Sequence, residues 1–496
     1  MKLAIVAFDH DVTTVHDMLC FAGAMTVLIR CLQISMTSQP IHWVEVYRVC
    51  HLIEMTYRCS DEAAIYTIQS IGKDLILLLF SVLLKDAEGR ADDSPVRLII
   101  QRISQIEVSL QTIDQSSGLL LFLQRMAMLG NENPVVSQDA LCVLAGFTRH
   151  AQSKVYVMEE NPTFLESIIT CSQVITAPGT EIKHQIATIL QNLTLHGSNK
   201  AKMTKQLIVE QLVTLVSPEQ CVATRDQAIR ALRHMSVEAQ GKLFIASFEG
   251  GRVLNVLVDA YSDRELRLVA IETILSLACS WTASTLLGHP GLLKFLVEIA
   301  TSSKELVAEK AAHTVKRLSS HVTTSQREHP KLFNAITSLA SSESPKIRSW
   351  AAKAFLEQSR LSGCNFLLVR APEALKQIST LARDPSSEVH DPAIEALLVL
   401  TESQSNLKRF ALNSYLLDTL VAAVDKGVTG DEQTRLTSRN AILAILNLTR
   451  KSCARKRAAK HRGLVACLSQ YGLSHDDDKE LRQAALHGVV ILSPSM

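Results

Sequence analysis

The chain has 496 residues, 47 % hydrophobic but only 5 % aromatic, with 51 basic against 49 acidic residues and a net charge of +2. That balance argues against a general nucleic-acid binder, which carries a clear basic excess, and the apolar content argues against long disorder. Eleven cysteines are dispersed without any Cys-x-x-Cys pair, which reads as reduced thiols in the cytosol or nucleus rather than a disulfide framework.

The N-terminal run Leu3–Phe8 is too short for the core of a signal peptide and is followed at once by Asp9. Gly23 reads as a turn entering an apolar helix through Leu32. A helical stripe follows through Val49, Ile53 and Thr56. Leu75 to Leu84 is the most apolar stretch, yet it is far below the about 20 residues that a bilayer demands, so it reads as a buried helix. Lys85–Pro95 is polar and helix-breaking, and its Asp and Ser side chains can cap the helix that starts at Pro95. Ile99, Ile103 and Ile106 then begin a regular pattern, and Gly118 opens another apolar helix.

The pattern is a small or apolar first residue with large apolar residues four and seven places later, one buried stripe of an α-helix. Ala228-Ile229-Arg230-Ala231-Leu232-Arg233-His234-Met235 is one copy. Copies start at Ile99, Ala140, Ile186, Ala228, Ala270, Ala311, Ala351, Ala393, Ala441 and Ala484, at intervals of 40 to 48 residues. The two longest intervals hold extra loops, Thr176–Thr180 and Lys426–Asp431, and such insertions cost a solenoid little. After each stripe come a short amphipathic helix, a Gly or Pro break (Gly250-Gly251, Pro290-Gly291, Pro330, Pro372, Gly463) and a second apolar helix. Each unit is therefore a short helix followed by two longer ones. A fixed period near forty predicts an all-α, helical solenoid.

Ile186-Ala187-Thr188-Ile189-Leu190-Gln191-Asn192-Leu193-Thr194 and Ala441-Ile442-Leu443-Ala444-Ile445-Leu446-Asn447-Leu448-Thr449 resemble the armadillo repeat family: a small residue, Leu four on, Asn two further, then an apolar residue. The resemblance covers residues 95–496. It implies a right-handed α-solenoid of about 10–11 repeats of roughly 42 residues. Residues 1–94 form degenerate N-terminal repeats, and a capping helix closes the C-terminal end. A HEAT-type solenoid of helix pairs is the neighbouring alternative.

In that family the stripe helix lines a concave groove where extended peptides bind. If places 1, 5 and 8 of each copy are buried, places 3 and 7 share another face. This row includes Asn192, Arg230, His234, Glu272, His313, Arg317 and Lys353. The importin-α branch carries repeated Trp and Asn there. Place 3 has no Trp and place 7 has Asn only at 192 and 447, so a karyopherin-like transport role is not supported. Basic residues from Arg230 to Lys353 suit an acidic or phosphorylated segment, as the resemblance implies for the β-catenin branch. A second candidate is the basic run with Arg455, Lys456, Arg457, Lys460 and Arg462, as an anionic contact or nuclear-import signal, against the plainer reading of a solvated short helix. His475-Asp476-Asp477-Asp478 looks metal-like but reads as capping the last helix.

No phosphate-binding glycine loop, His-Glu-x-x-His or nucleophile elbow is present. The expectation is a non-enzymatic scaffold in the cytoplasm or nucleus, without cofactor or metal, binding protein partners rather than nucleic acid. Its alternative is a regulatory subunit or adaptor of an enzyme or trafficking complex. A monomer is expected, with the apolar Val489, Val490 and Ile491 as a route to self-association through the last repeat.

Overall fold

The computed structural model describes residues 24–59, 74–85, 95–105, 117–130, 132–159, 161, 163–174, 181–302, 305–321, 329–361, 363–427, 432–473 and 479–493. All regular elements among them are helical. The copy at Ala228 shows why. In the helix Val222–Met235, Ala228, Ile229, Ala231, Leu232 and Met235 are fully buried, whereas Arg230 points out to solvent. The helix stops at Ser236, whose N–H returns to the Leu232 carbonyl. Pro and Gly punctuate the starts. Pro134 opens Pro134–Phe147, where Asn133 accepts the Val136 N–H at 3.2 Å. Gly251 (φ 98°) and Gly291 (φ 84°) turn the chain into Arg252–Ala260 and Leu292–Ser302 through left-handed conformations that favour glycine.

The chain divides into two compact units, residues 1–244 and 245–496. In the first, the stripe-bearing helices Trp43–Cys59, Pro95–Gln105, Pro134–Phe147, Glu181–Thr194 and Val222–Met235 pack each on the next. A second layer, Ser117–Ala127, Phe164–Val174 and Gln206–Val216, packs likewise. The short helices Ala151–Glu159 and Gly197–Met203 join the layers and touch each other. The stripe read through Val49, Ile53 and Thr56 is buried in Trp43–Cys59, and the run from Leu75 lies in the helix 74–85, with only its end at Leu84 well exposed.

The second unit repeats the scheme. Its stripe helices are Arg267–Leu277, Glu305–Ser319, Pro345–Arg360, Ser387–Glu402, Glu432–Thr449 and Lys479–Leu492. The layer behind them is Leu292–Ser302, His329–Ala340, Pro372–Leu381, Ser414–Gly427 and Arg462–Gly472. Cys364–Arg370, Gln404–Phe410 and Ser452–Ala458 are short helices stacked in a row. A short helix followed by two longer ones is thus the repeating unit, as the spacing predicts.

Two expectations change. The last helix buries Leu481, Ala485, Gly488 and Leu492, so its stripe is rotated by one residue from the register that starts at Ala484. An internal stripe helix is covered on both sides of its stripe, whereas this one buries a single face. The second long loop starts later than expected, because Lys426 and Gly427 belong to Ser414–Gly427. The loops 86–94, 176–180 and 428–431, Ile106 and the His475–Asp478 run lie outside the described residues. Among the described residues no helix is long and apolar enough to cross a membrane, and no group of three or more His, Cys, Asp or Glu could hold a metal. The cysteines whose side chains are described form no disulfide, and burial pushes Cys50 and Cys467 up to about 12.

Gly146 marks a close approach of two stripe helices, Pro134–Phe147 and Pro95–Gln105. A Cβ there would lie 2.2 Å from the Ser104 carbonyl oxygen, which is backbone and cannot move aside alone. Gly146→Ala is therefore expected to destabilise the chain by about 1–3 kcal/mol, read as an earlier midpoint in urea unfolding with the helical circular dichroism otherwise retained.

Candidate functional site

A helix turns by about 100° per residue. On a stripe helix this puts place 0, the residue before the small one, about 20° beyond place 7 and about 60° from place 3, still on the side away from the stripe. The exposed face therefore has three rows, one of which the sequence reading omits. Asn192, Arg230 and His234 belong to the first unit, and Glu272, His313, Arg317 and Lys353 to the second.

Place 7 is a staple rather than an open position. Asn192 is only 6 % exposed, and its amide donates to the Ala145 carbonyl at 3.1 Å and the Thr148 hydroxyl at 3.3 Å, both on the preceding stripe segment. Asn447 is buried too and donates to the Thr401 hydroxyl at 3.2 Å. Arg317 donates to the Leu275 carbonyl at 3.3 Å, and His234 Nδ1 lies 3.4 Å from the Thr194 hydroxyl. Each reaches back one repeat. The solvent-facing role expected for Asn192 is corrected accordingly: a buried amide that donates to a carbonyl and a hydroxyl of the preceding repeat is committed to the seam.

Places 0 and 3 carry the accessible chemistry. In the second unit His313 stacks on Trp350, with centroids 4.1 Å apart and planes 15° from parallel. Lys353 Nζ lies 4.9 Å from the centroid of the same indole. Trp350 is place 0 of its copy and half-buried, so the aromatic residue that places 3 and 7 lack sits one row away. The signal was present in Trp350-Ala351, the residue directly ahead of the small one.

The charge of this face is more balanced than the row of basic residues suggests. Arg230 is held by Asp226 at 2.7 Å within its own helix. Lys310 meets Glu272 at 3.5 Å, Lys346 meets Glu309 at 3.8 Å and Lys316 meets Glu357 at 3.6 Å, each pair joining adjacent stripe helices. Arg360 continues the series to Glu395. Partly exposed pairs of this kind are worth about 0–1 kcal/mol each, but they neutralise the surface. Burial, reinforced by Arg317, Lys316 and Lys310, lowers His313 to about 4. Burial first, then Arg233, Lys200, Arg230 and Lys154, also lowers His234. Both imidazoles are neutral at pH 7. Lys353 makes no ion pair among the described residues and is the free cation of the Trp350 stack.

In the basic run, Arg455, Lys456 and Arg457 are exposed on Ser452–Ala458, and Lys460 is exposed just beyond it. The side chain of Arg462 lies outside the described residues. Ala454 and Ala458 are fully buried, so this segment is a docked helix and not an extended strand.

Asn192→Ala removes a donor shared by two buried acceptors. It is expected to cost about 1–2 kcal/mol of unfolding free energy, measured by urea denaturation.

No family model matches the sequence, and no curated protein matches it. Similar solved structures are found. One is the crystal structure of an engineered protein, at 15 % identity, covering 84 % of this chain and 99 % of that chain with a TM-score of 0.53. Another comes from work on a conserved phosphorylation switch controlling the interaction between cadherin and β-catenin, at 14 % identity, covering 93 % of this chain and 99 % of that chain with a TM-score of 0.50. A third, of computationally designed armadillo repeat proteins for modular peptide recognition, is 19 % identical and covers 47 % of this chain and 98 % of that chain with a TM-score of 0.38. At these identities the first two likenesses speak for the fold alone, and together with the repeated unit of one short and two longer helices they give the chain an armadillo-type, all-α solenoid fold.

Proposed function

We propose that this chain is a non-catalytic protein-binding scaffold, and that the face of its stripe helices takes up an extended segment of a protein partner. The observation that carries the reading is the Trp350 stack. A half-buried indole held between His313 and Lys353 is a rigid aromatic surface beside a free cation. Aromatic anchors of this kind dominate protein recognition, because they bury much area with few rotatable bonds. The face around it is preorganised by cross-helix pairs, so a partner meets a surface that needs little ordering.

Lys353 beside the indole suits an acidic or phosphorylated side chain flanked by an apolar one. A solved structure with a similar fold comes from work on a phosphorylation switch that controls the interaction between cadherin and β-catenin. Cysteines that form no disulfide among the described residues fit a reducing compartment, and we propose that the scaffold works in the cytoplasm or nucleus.

Selection of displayed peptides on the intact chain tests the reading. Selected peptides are expected to bind Trp350→Ala at least about tenfold more weakly, the effect of an interface hot spot, with a shift in tryptophan fluorescence on binding to the wild type. Equal affinities for wild type and a folded Trp350→Ala variant would contradict it.

A further inference from the structure

We propose that the stacked short helices of the second unit form a separate docking strip for an acidic, extended protein segment, independent of the Trp350 face. The strip is built from Gln404–Phe410 and Ser452–Ala458, which pack on each other. Lys451 ties them, its ammonium donating to the Gln404 carbonyl at 3.2 Å. The buried side of both is neutral, with Asn406, Leu407, Phe410, Ala454 and Ala458 between 0 and 1 % exposed. The outward side carries Lys408, Arg409, Arg455, Lys456, Arg457 and Lys460, all exposed.

None of these six cations has an ion pair among the described residues. This contrasts with the stripe-helix face, where Lys310, Lys316, Lys346 and Arg360 each meet an acid of a neighbouring repeat. The sequence explains the difference. There is no Asp or Glu from Ser403 to Asn413, nor from Arg450 to His475, in a chain whose bases and acids are otherwise almost equal. Asp418, on the neighbouring helix Ser414–Gly427, is engaged by His461 Nε2 at 2.8 Å. Unanswered positive charge concentrated on one strip of a near-neutral molecule is a steering surface for anions.

The form of the strip selects among anionic partners. A lipid surface is held by basic residues combined with exposed apolar ones, yet the exposed positions on these two helices are Gln404, Ser405, Lys408, Arg409, Ser452, Arg455, Lys456 and Arg457. Single-stranded nucleic acid is held by aromatic platforms between the cations, yet the only aromatic residue on the two helices, Phe410, is fully buried. What is left is point charge along a short ridge. Adjacent helices sit about 8–10 Å apart, and a run of about five extended residues spans the two helices and the Lys460 turn. A partner segment bearing several Glu, Asp or phosphoserine side chains matches it.

The test is fluorescence anisotropy of a labelled glutamate-rich peptide with the intact chain, alongside vesicles containing phosphatidylserine and a single-stranded RNA. The peptide is expected to bind, and to weaken strongly as salt rises. Combining Lys408→Glu, Arg409→Glu, Arg455→Glu, Lys456→Glu and Arg457→Glu should abolish that binding with the helical circular dichroism unchanged, since all five side chains are exposed. The same variant should gain binding of a lysine-rich peptide, whereas Trp350→Ala should leave the acidic peptide's affinity within twofold. Peptide affinity unaffected by the five changes, or lost in Trp350→Ala, would overturn the proposal. So would tighter binding of the vesicles or the RNA than of the peptide.

Discussion

The seam between consecutive stripe helices is the contact on which everything else in each unit depends. A small residue at place 1 lets the helices approach, and Ala228, Ala270, Ala311, Ala351, Ala393 and Ala441 are all at most 1 % exposed. The seam is then locked by what stands at place 7. Glycine permits backbone contact at Gly146, while Asn192, Arg317 and Asn447 donate back to the preceding repeat. A solenoid has no distant contacts to fall back on, because each repeat is stabilised only by its neighbours. Buried hydrogen bonds recurring at one position are therefore the means by which register is held from one repeat to the next.

The same requirement divides the surface. Residues at place 7 look solvent-facing on a single helix but are claimed by the neighbouring repeat. In the second unit Trp350 at place 0 and Lys353 at place 3 remain outside the seam, and there the chain sets out mixed charge with one aromatic anchor. His313 contributes as a ring and not as a charge, since burial and the adjacent Arg317 and Lys316 keep it neutral. Positive charge without a counter-charge is found instead on the short helices at Lys408, Arg409 and Arg455–Arg457. Two faces of different character follow from one repeat plan: one reads shape and aromatic contact, the other reads charge.

Much of the fold was legible in the sequence because it obeys local periodicity. The interval between stripes, the alternation of one short and two longer helices and the buried places are all properties of segments shorter than about fifty residues. The site was less legible, for physical reasons. Asn192 fits a solvent-facing row on an isolated helix, and only the position of Thr148 on the neighbouring one shows that it is buried. The pairs Glu272–Lys310 and Lys316–Glu357 join side chains about one repeat apart, so a row of residue types gives no hint that they cancel. Trp350 stands outside the two rows at places 3 and 7, although the helical angle puts a third row beside place 7. The last stripe runs through Leu481, Ala485, Gly488 and Leu492, one residue off the Ala484 register, because periodicity alone carries no information about which neighbours a helix buries against.

The central claim is that the stripe-helix face at Trp350 is where a protein partner sits. Oxidative footprinting of the tryptophans tests it most directly, with the partner-bound chain compared to the free one. Trp281, 66 % exposed and away from the stack, serves as the internal reference. The account predicts that partner binding protects Trp350 while Trp281 keeps its reactivity. Unchanged oxidation of Trp350 in a saturated complex would contradict it.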